Sequence, residues 1–238
     1  MEDLEPQAEF ELLPEATQRL VRTVDGLDDE ALAAPSGLPD WTRGHVVAHL
    51  ALNAEALAAV LEGASRGEPT TMYASDEDRG RDIAELAAAE RTELRDRFMA
   101  GTTRLTDAVD EFPDEHWTGS FERTPGGRSM RYAAVPGMRL REVEIHHVDL
   151  DAGFTPTGWS DSFAAHLIES MVKRGPSEES YRVLATDLAQ SWVVGDPDDA
   201  SSTTVSGPAG DLAWWMTGRP PADSLTSSSG TLPLVKAW

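Results

Sequence analysis

The sequence predicts an α+β fold: a four-helix bundle over residues 1–153, followed by a smaller α+β domain over 154–238. Three observations carry this expectation. The first 150 or so residues divide into four stretches with apolar positions at helical spacing. After Gly153 the composition shifts to β-branched and alternating runs separated by turn residues. Two of the four helical stretches carry histidines or carboxylates on their apolar faces, which puts a site in the bundle core.

The first helix runs through PEATQRLVRTVDGL, where Leu20, Val21 and Val24 recur at helical spacing, and the loop LAAPSGLPDW follows. TRGHVVAHLALNAEALAAVLEGA reads as one uninterrupted helix ending near Gly63. After the loop RGEPTTMYA, Ser75-Asp76-Glu77-Asp78 resembles a capping box. It starts a single long charged helix, DEDRGRDIAELAAAERTELRDRFMAGTTRLTDAVDEF, which stops before Pro113. GSFERTPGGRSM reads as an irregular crossing segment, and the fourth helix extends from about Pro136 to Asp151. In the second domain DSFAAHLIESMVKRG and AGDLAWWMTG read as short helices, and RVLATDLAQSWVVG and SSTTVSGPAG as strands with turns. The one low-complexity tract is a Ser-rich loop near Ser227.

The 238 residues, 40% of them hydrophobic, suffice for one large or two small domains with a real core. No apolar run approaches 18 residues, and the amino terminus MEDLEPQAEFELL is acidic where a secretory signal is basic and then apolar; the cytoplasm is the expected location. The absence of cysteine removes disulfides, thiolate ligands and a cysteine nucleophile, so thiol chemistry requires a thiol from outside. With 20 basic and 42 acidic residues the net charge is -22, which disfavours nucleic acid and anionic membranes as partners. A small anionic substrate then needs a local arginine or a metal ion.

Candidate chemistry concentrates in REVEIHHVDL. On a helix Glu142 and His146 stand one turn apart on a face flanked by Met138, Val143, Ile145 and Leu150, while Glu144, His147 and Asp151 point the other way. On the second helix His49 shares its face with Val46, Leu52, Asn53, Ala56, Leu57 and Val60, and Glu55 and Glu62 fall opposite. His45 lies near the edge of that face, as a partner behind the ligands or an alternative ligand. His49, Glu142 and His146 form a two-histidine, one-carboxylate set, which binds Zn(II) with a coordination position open. The pattern alone also fits a satisfied core histidine and a helix-stabilising Glu142–His146 pair.

The runs LPDWTRGHVVAHLALNAEAL, EPTTMYASDEDRGRDI, MRLREVEIHHVDL and DLAWWMTGRP together resemble the mycothiol-dependent maleylpyruvate isomerase family of the DinB-like metalloenzyme superfamily. The resemblance implies a DinB-like amino-terminal bundle holding a divalent metal, usually zinc, on His49, Glu142 and His146. It also implies a sterol-carrier-protein-like carboxy-terminal domain. The implied cofactor is mycothiol, whose thiolate adds to maleylpyruvate; the bond rotates and elimination gives fumarylpyruvate, in aromatic-acid degradation through gentisate. Arg219, in the TGR context, is the implied anion-binding or catalytic residue; Arg79, in MYASDEDR, is a second candidate as a contact for mycothiol or substrate, and a solvated surface position also fits both arginines.

Trp214 and Trp215 read as core. Met72 and Tyr73 read as pocket lining or loop packing, and His116, His147 and His166 as structural or surface residues. Asp149 is placed to orient His146 or to pair with an exposed arginine. A monomer is the expected state. Two other functions fit the same sequence: a mycothiol S-transferase acting on another electrophile, and a metal-free binding or stress protein.

Overall fold

The computed structural model shows an α+β protein, with a helical first unit, Met1–Gly153, and a second unit, Phe154–Trp238, built on a small mixed sheet. It describes residues 6–174, 179–196, 198 and 203–237. Gly175, at the end of one expected helix, and Ser201 and Ser202, at the start of one expected β stretch, lie outside the described residues.

Helix α1 (Pro6–Asp25) begins earlier than the sequence predicts and continues through Pro14. Proline removes one helical hydrogen bond, and packing of the preceding turn compensates: Phe10 meets Trp117 edge-on at 5.7 Å. A short helix α2 (Asp29–Ala33), capped by Asp28, follows α1 and takes in Leu32 and Ala33, the first two residues of the expected loop. Helix α3 (Arg43–Ser65) is capped by Thr42 and is buried on nearly every side. It is the one described helix long and apolar enough to cross a membrane, yet 78% of its apolar window is buried inside the protein, as for a core helix.

The expected long charged helix is two helices, α4 (Asp76–Ala87) and α5 (Arg91–Asp110). Ser75 caps α4 as predicted. The break at Ala88–Glu90 overrides the local preference of alanine for helix. Tertiary contacts fix it: Arg91 Nε donates to the Leu27 carbonyl at 2.7 Å, and Arg95 Nε to Asp25 at 2.6 Å, so α5 starts where the end of α1 holds it. The expected irregular segment is a hairpin, β1 (Ser120–Glu122) against β2 (Ser129–Arg131), in the register Ser120↔Arg131 to Glu122↔Ser129. Helix α6 (Val135–Asp149) follows.

α3 packs on α5, α4 and α6, and α1 packs on α6 and α5, closing a ring of four long helices. Glu55 and Glu62 of α3 form bidentate pairs with Arg97 and Arg104 of α5 at 2.7–2.9 Å. Both pairs are 42 residues apart, which means the two helices run in the same direction. Close approach requires Gly101, whose added Cβ would stand 3.1 Å from the Ala51 carbonyl. Below the site the core is sealed by Leu57, Leu61, Leu105, Phe112, Phe121 and Tyr132.

In the second unit α7 (Asp161–Val172), capped by Ser160, packs against α8 (Ala209–Met216). Strands β3 (Tyr181–Ala185), β4 (Gln190–Val194), β5 (Thr204–Gly207) and β6 (Thr226–Ser227) form one sheet in the order β4-β3-β5-β6, with β3 and β5 parallel. The expected Ser-rich loop thus contributes β6. Asp187 accepts from Ala209 N at 3.0 Å and so caps α8.

Candidate metal centre

Two helices supply the centre. His49 comes from the middle of α3 and Glu142 and His146 from successive turns of α6. One ligand atom from each of the three lies within 4.8 Å of the other two. His49 Nε2 is 2.8 Å and His146 Nε2 3.2 Å from Glu142 Oε2, and the imidazole rings meet edge to face with centroids 4.8 Å apart. Zinc arms of about 2.1 Å at tetrahedral angles separate donor atoms by about 3.4 Å, so the two contacts to Glu142 at 2.8 and 3.2 Å would lengthen a little to admit a cation, within a cluster no wider than 4.8 Å. His49 and His146 are buried, whereas the Glu142 side chain is 19% exposed. The carboxylate is the most exposed member of the three.

Asp149, fully buried, takes a hydrogen bond at 2.8 Å from His146 Nδ1, the contact that in a metal-bound neutral imidazole would leave Nε2 as the ligating nitrogen. His49 departs from that arrangement. Arg79 Nη2 is 3.1 Å from its Nδ1, and a guanidinium only donates, so the Nε2 proton points at Glu142. A cation held by Nε2 would need that proton on Nδ1 instead, and the Arg79 contact would then have to shift. Burial pushes His49 down to about 4 against the pull of Glu142. Burial alone would raise Glu142, but His49 and His146 outweigh it and hold the carboxyl well below its usual range. For His146 burial is outweighed by Asp149 and Glu142, and its pKa is raised.

His45 is neither ligand nor ligand partner. Its Nδ1 accepts from Thr42 N and bonds Thr42 Oγ1, completing the cap of α3. Arg79 lies against the Tyr73 ring at 5.5 Å as well as against His49. Tyr73 is largely buried, with its hydroxyl pKa raised by that burial, and Met72 joins the core. Glu144 and His147 do point away from the trio, but into a second buried seam: Arg19 Nη2 meets Glu144 at 2.6 Å and Thr23 Oγ1 bonds His147 Nε2 at 2.7 Å.

Arg219 belongs to the second unit. It follows Gly218, whose φ of 82° ends α8 in the left-handed region, and it covers the Trp214 ring at 5.5 Å. Trp215 is core as expected, whereas Trp214 is half-buried under that arginine. The sequence reading missed Arg139, Asn53 as its partner, and Trp41, whose ring stands 5.8 Å from His49. Arg139 was legible in principle, because it precedes Glu142 by three residues and His146 by seven and so shares their face.

Residues 13–151 match the family profile of the mycothiol maleylpyruvate isomerase N-terminal domain, and residues 154–237 match that of the MDMPI C-terminal domain. The chain belongs to the mycothiol maleylpyruvate isomerase family. A crystal structure of the mycothiol-dependent maleylpyruvate isomerase is similar at 28% identity and a TM-score of 0.89, covering 99% of this chain and 98% of that one. A structure of a histidine-to-alanine mutant of that isomerase is similar to the same degree. No curated protein sequence matches the chain. Membership in the family implies the use of mycothiol, and the His49, Glu142 and His146 cluster is able to hold a metal ion.

Proposed function

We propose that the chain catalyses the mycothiol-dependent cis-trans isomerisation of maleylpyruvate to fumarylpyruvate. The observation that supports it most directly is the meeting of His49, Glu142 and His146 in a chain whose two units both match the isomerase family. When bound, a divalent cation and mycothiol would supply a thiolate near neutral pH, the nucleophile that adds reversibly to a conjugated double bond and frees it to rotate.

The chain's part is to hold, orient and balance charge. His49, His146 and Glu142 would hold the cation, and Asp149 fixes the tautomer of His146. Burial keeps His49 uncharged at neutral pH, so that its nitrogen is available as a ligand. With no cysteine, the protein offers no thiolate of its own to occupy the open position. Arg79, beside His49, is proposed to contact mycothiol, and Arg219 to bind a carboxylate or the developing enolate of the substrate. A monomer acting in the cytoplasm on a small anionic substrate completes the reading.

The test mixes zinc-loaded protein, mycothiol and maleylpyruvate and follows loss of the cis substrate, with a control lacking thiol. Thiol-dependent turnover is expected. Turnover without thiol, or none with it, rejects the mechanism.

A further inference from the structure

We propose that Arg139 is an anion-binding residue of the candidate metal centre, its Nη2 group reserved for a carboxylate or enolate oxygen of the substrate. This rests on the reading of His49, Glu142 and His146 as a reaction centre and adds to it a residue that the sequence reading passed over.

Arg139 is 2% exposed and stands one turn before Glu142 on α6. Nη1 donates to the Leu50 carbonyl and to Asn53 Oδ1, both at 2.9 Å. Leu50 adjoins His49 in sequence and Asn53 lies one turn beyond it, so the guanidinium sits where α3 and α6 carry their ligands. Both acceptors are neutral. Nη2 is buried and has no hydrogen-bond partner, and no carboxylate lies within ion-pair distance among the described residues. The group remains cationic even so: burial pulls it down to about 10, with Glu142 as its main electrostatic support.

A buried cation without an ion pair is unfavourable for stability taken alone. The other buried charged groups on α6 are arranged differently: Asp149 holds His146, and Arg19 holds Glu144. Charge balance gives the same result. The carboxylates of Glu142 and Asp149 are offset by the guanidiniums of Arg79 and Arg139, so a divalent cation brings an excess of two positive charges. A thiolate and one substrate carboxylate would neutralise it. Arg139 thus serves an incoming anion, which its unpaired donor and the surplus charge both select.

The test compares the protein as purified, with its zinc content measured, with Arg139→Met and Arg139→Lys, using maleate as the cis-dicarboxylate probe. Calorimetry gives maleate affinity, and thermal unfolding with and without maleate gives the ligand-linked shift. Wild type is expected to bind maleate. Arg139→Met should keep its zinc, unfold no lower than wild type in the absence of maleate, and bind maleate at least about tenfold more weakly, the size of one charge-assisted hydrogen bond. A purely structural clamp reverses these results: Arg139→Met melts lower and keeps the affinity for maleate, which overturns the proposal. Absence of maleate binding by wild type also overturns it.

Should Arg139→Met fail to fold, Arg139→Lys retains charge and a donor for Leu50 and Asn53 but lacks the paired nitrogens. Undiminished maleate affinity in that variant likewise overturns the proposal. The isomerase reading fails separately, if maleate binding depends on Arg139 and yet mycothiol and maleylpyruvate give no turnover.

Discussion

Glu144 and His147 are adjacent on the α1 side of α6, and their proton linkages oppose one another. Burial pushes Glu144 from its usual 4.5 up to about 7, although Arg19 pulls the other way. Burial, with Arg19 adding to it, pushes His147 from 6.5 down to about 4. Between these limits the native protein holds a proton on Glu144 that the unfolded chain releases, so this contribution is fully present at low pH and lost as pH rises toward 7. His147 acts in the opposite sense: the unfolded chain takes up a proton that the native one refuses, and stability is lost as pH falls from 6.5 toward 4. Each shift corresponds to about 3 kcal/mol at full extent, so in wild type the two nearly cancel. Glu144→Gln removes one of them. The variant should match wild type near the acid end and become more stable by up to about 3 kcal/mol above the raised pKa, with Arg19 still paired to Glu15. Urea unfolding of the metal-free variant and wild type across this range measures the difference. A gain that does not change with pH, or a loss at the alkaline end, refutes the reasoning, the latter by showing that the Arg19 ion pair outweighs burial.

Asp149→Asn leaves a hydrogen-bond acceptor for His146 but no charge, and zinc affinity measured against a chromophoric chelator should fall about 10–100-fold; unchanged affinity would show that Asp149 does not tune the ligand. Arg79→Gln removes a positive charge from beside the cation and gives His49 Nδ1 an acceptor, so zinc should bind at least as tightly as in wild type, and weaker binding in the same chelator competition refutes the assignment. His49→Ala should abolish both zinc binding and turnover. Arg219→Ala should leave zinc content intact while lowering kcat/KM, and full activity removes the role proposed for that arginine.

The meeting of His49, Glu142 and His146 was legible because each lies on a helix whose periodicity is clear from the sequence, and faces predicted separately converge when the helices pack. Arg139 has the same phase, but arginine is ordinarily a surface residue, and the oxygens it donates to are brought to it by α3. Glu144 and His147 were placed correctly on the opposite side of α6. Their burial depends on α1, a partner with no trace in the local pattern. The division of α4 from α5 was hidden for a similar reason, since Ala88 and Ala89 favour helix and the break is held by Arg91 and Arg95 reaching the end of α1. Three-residue strands are too short for alternation to register, so the β1–β2 hairpin was announced only by its Pro125-Gly126-Gly127 turn.

That hairpin reaches further than its size. Met72 N donates to the Glu122 carbonyl and Tyr73 N to the Arg123 carbonyl, so the segment entering α4 is tied to the hairpin by two backbone hydrogen bonds, and Arg123 and Arg79 both lie against the Tyr73 ring. A change in the length of the turn at 124–127 would displace the Glu122 and Arg123 carbonyls that hold Met72 and Tyr73, and with them the Tyr73 ring against which Arg79 lies.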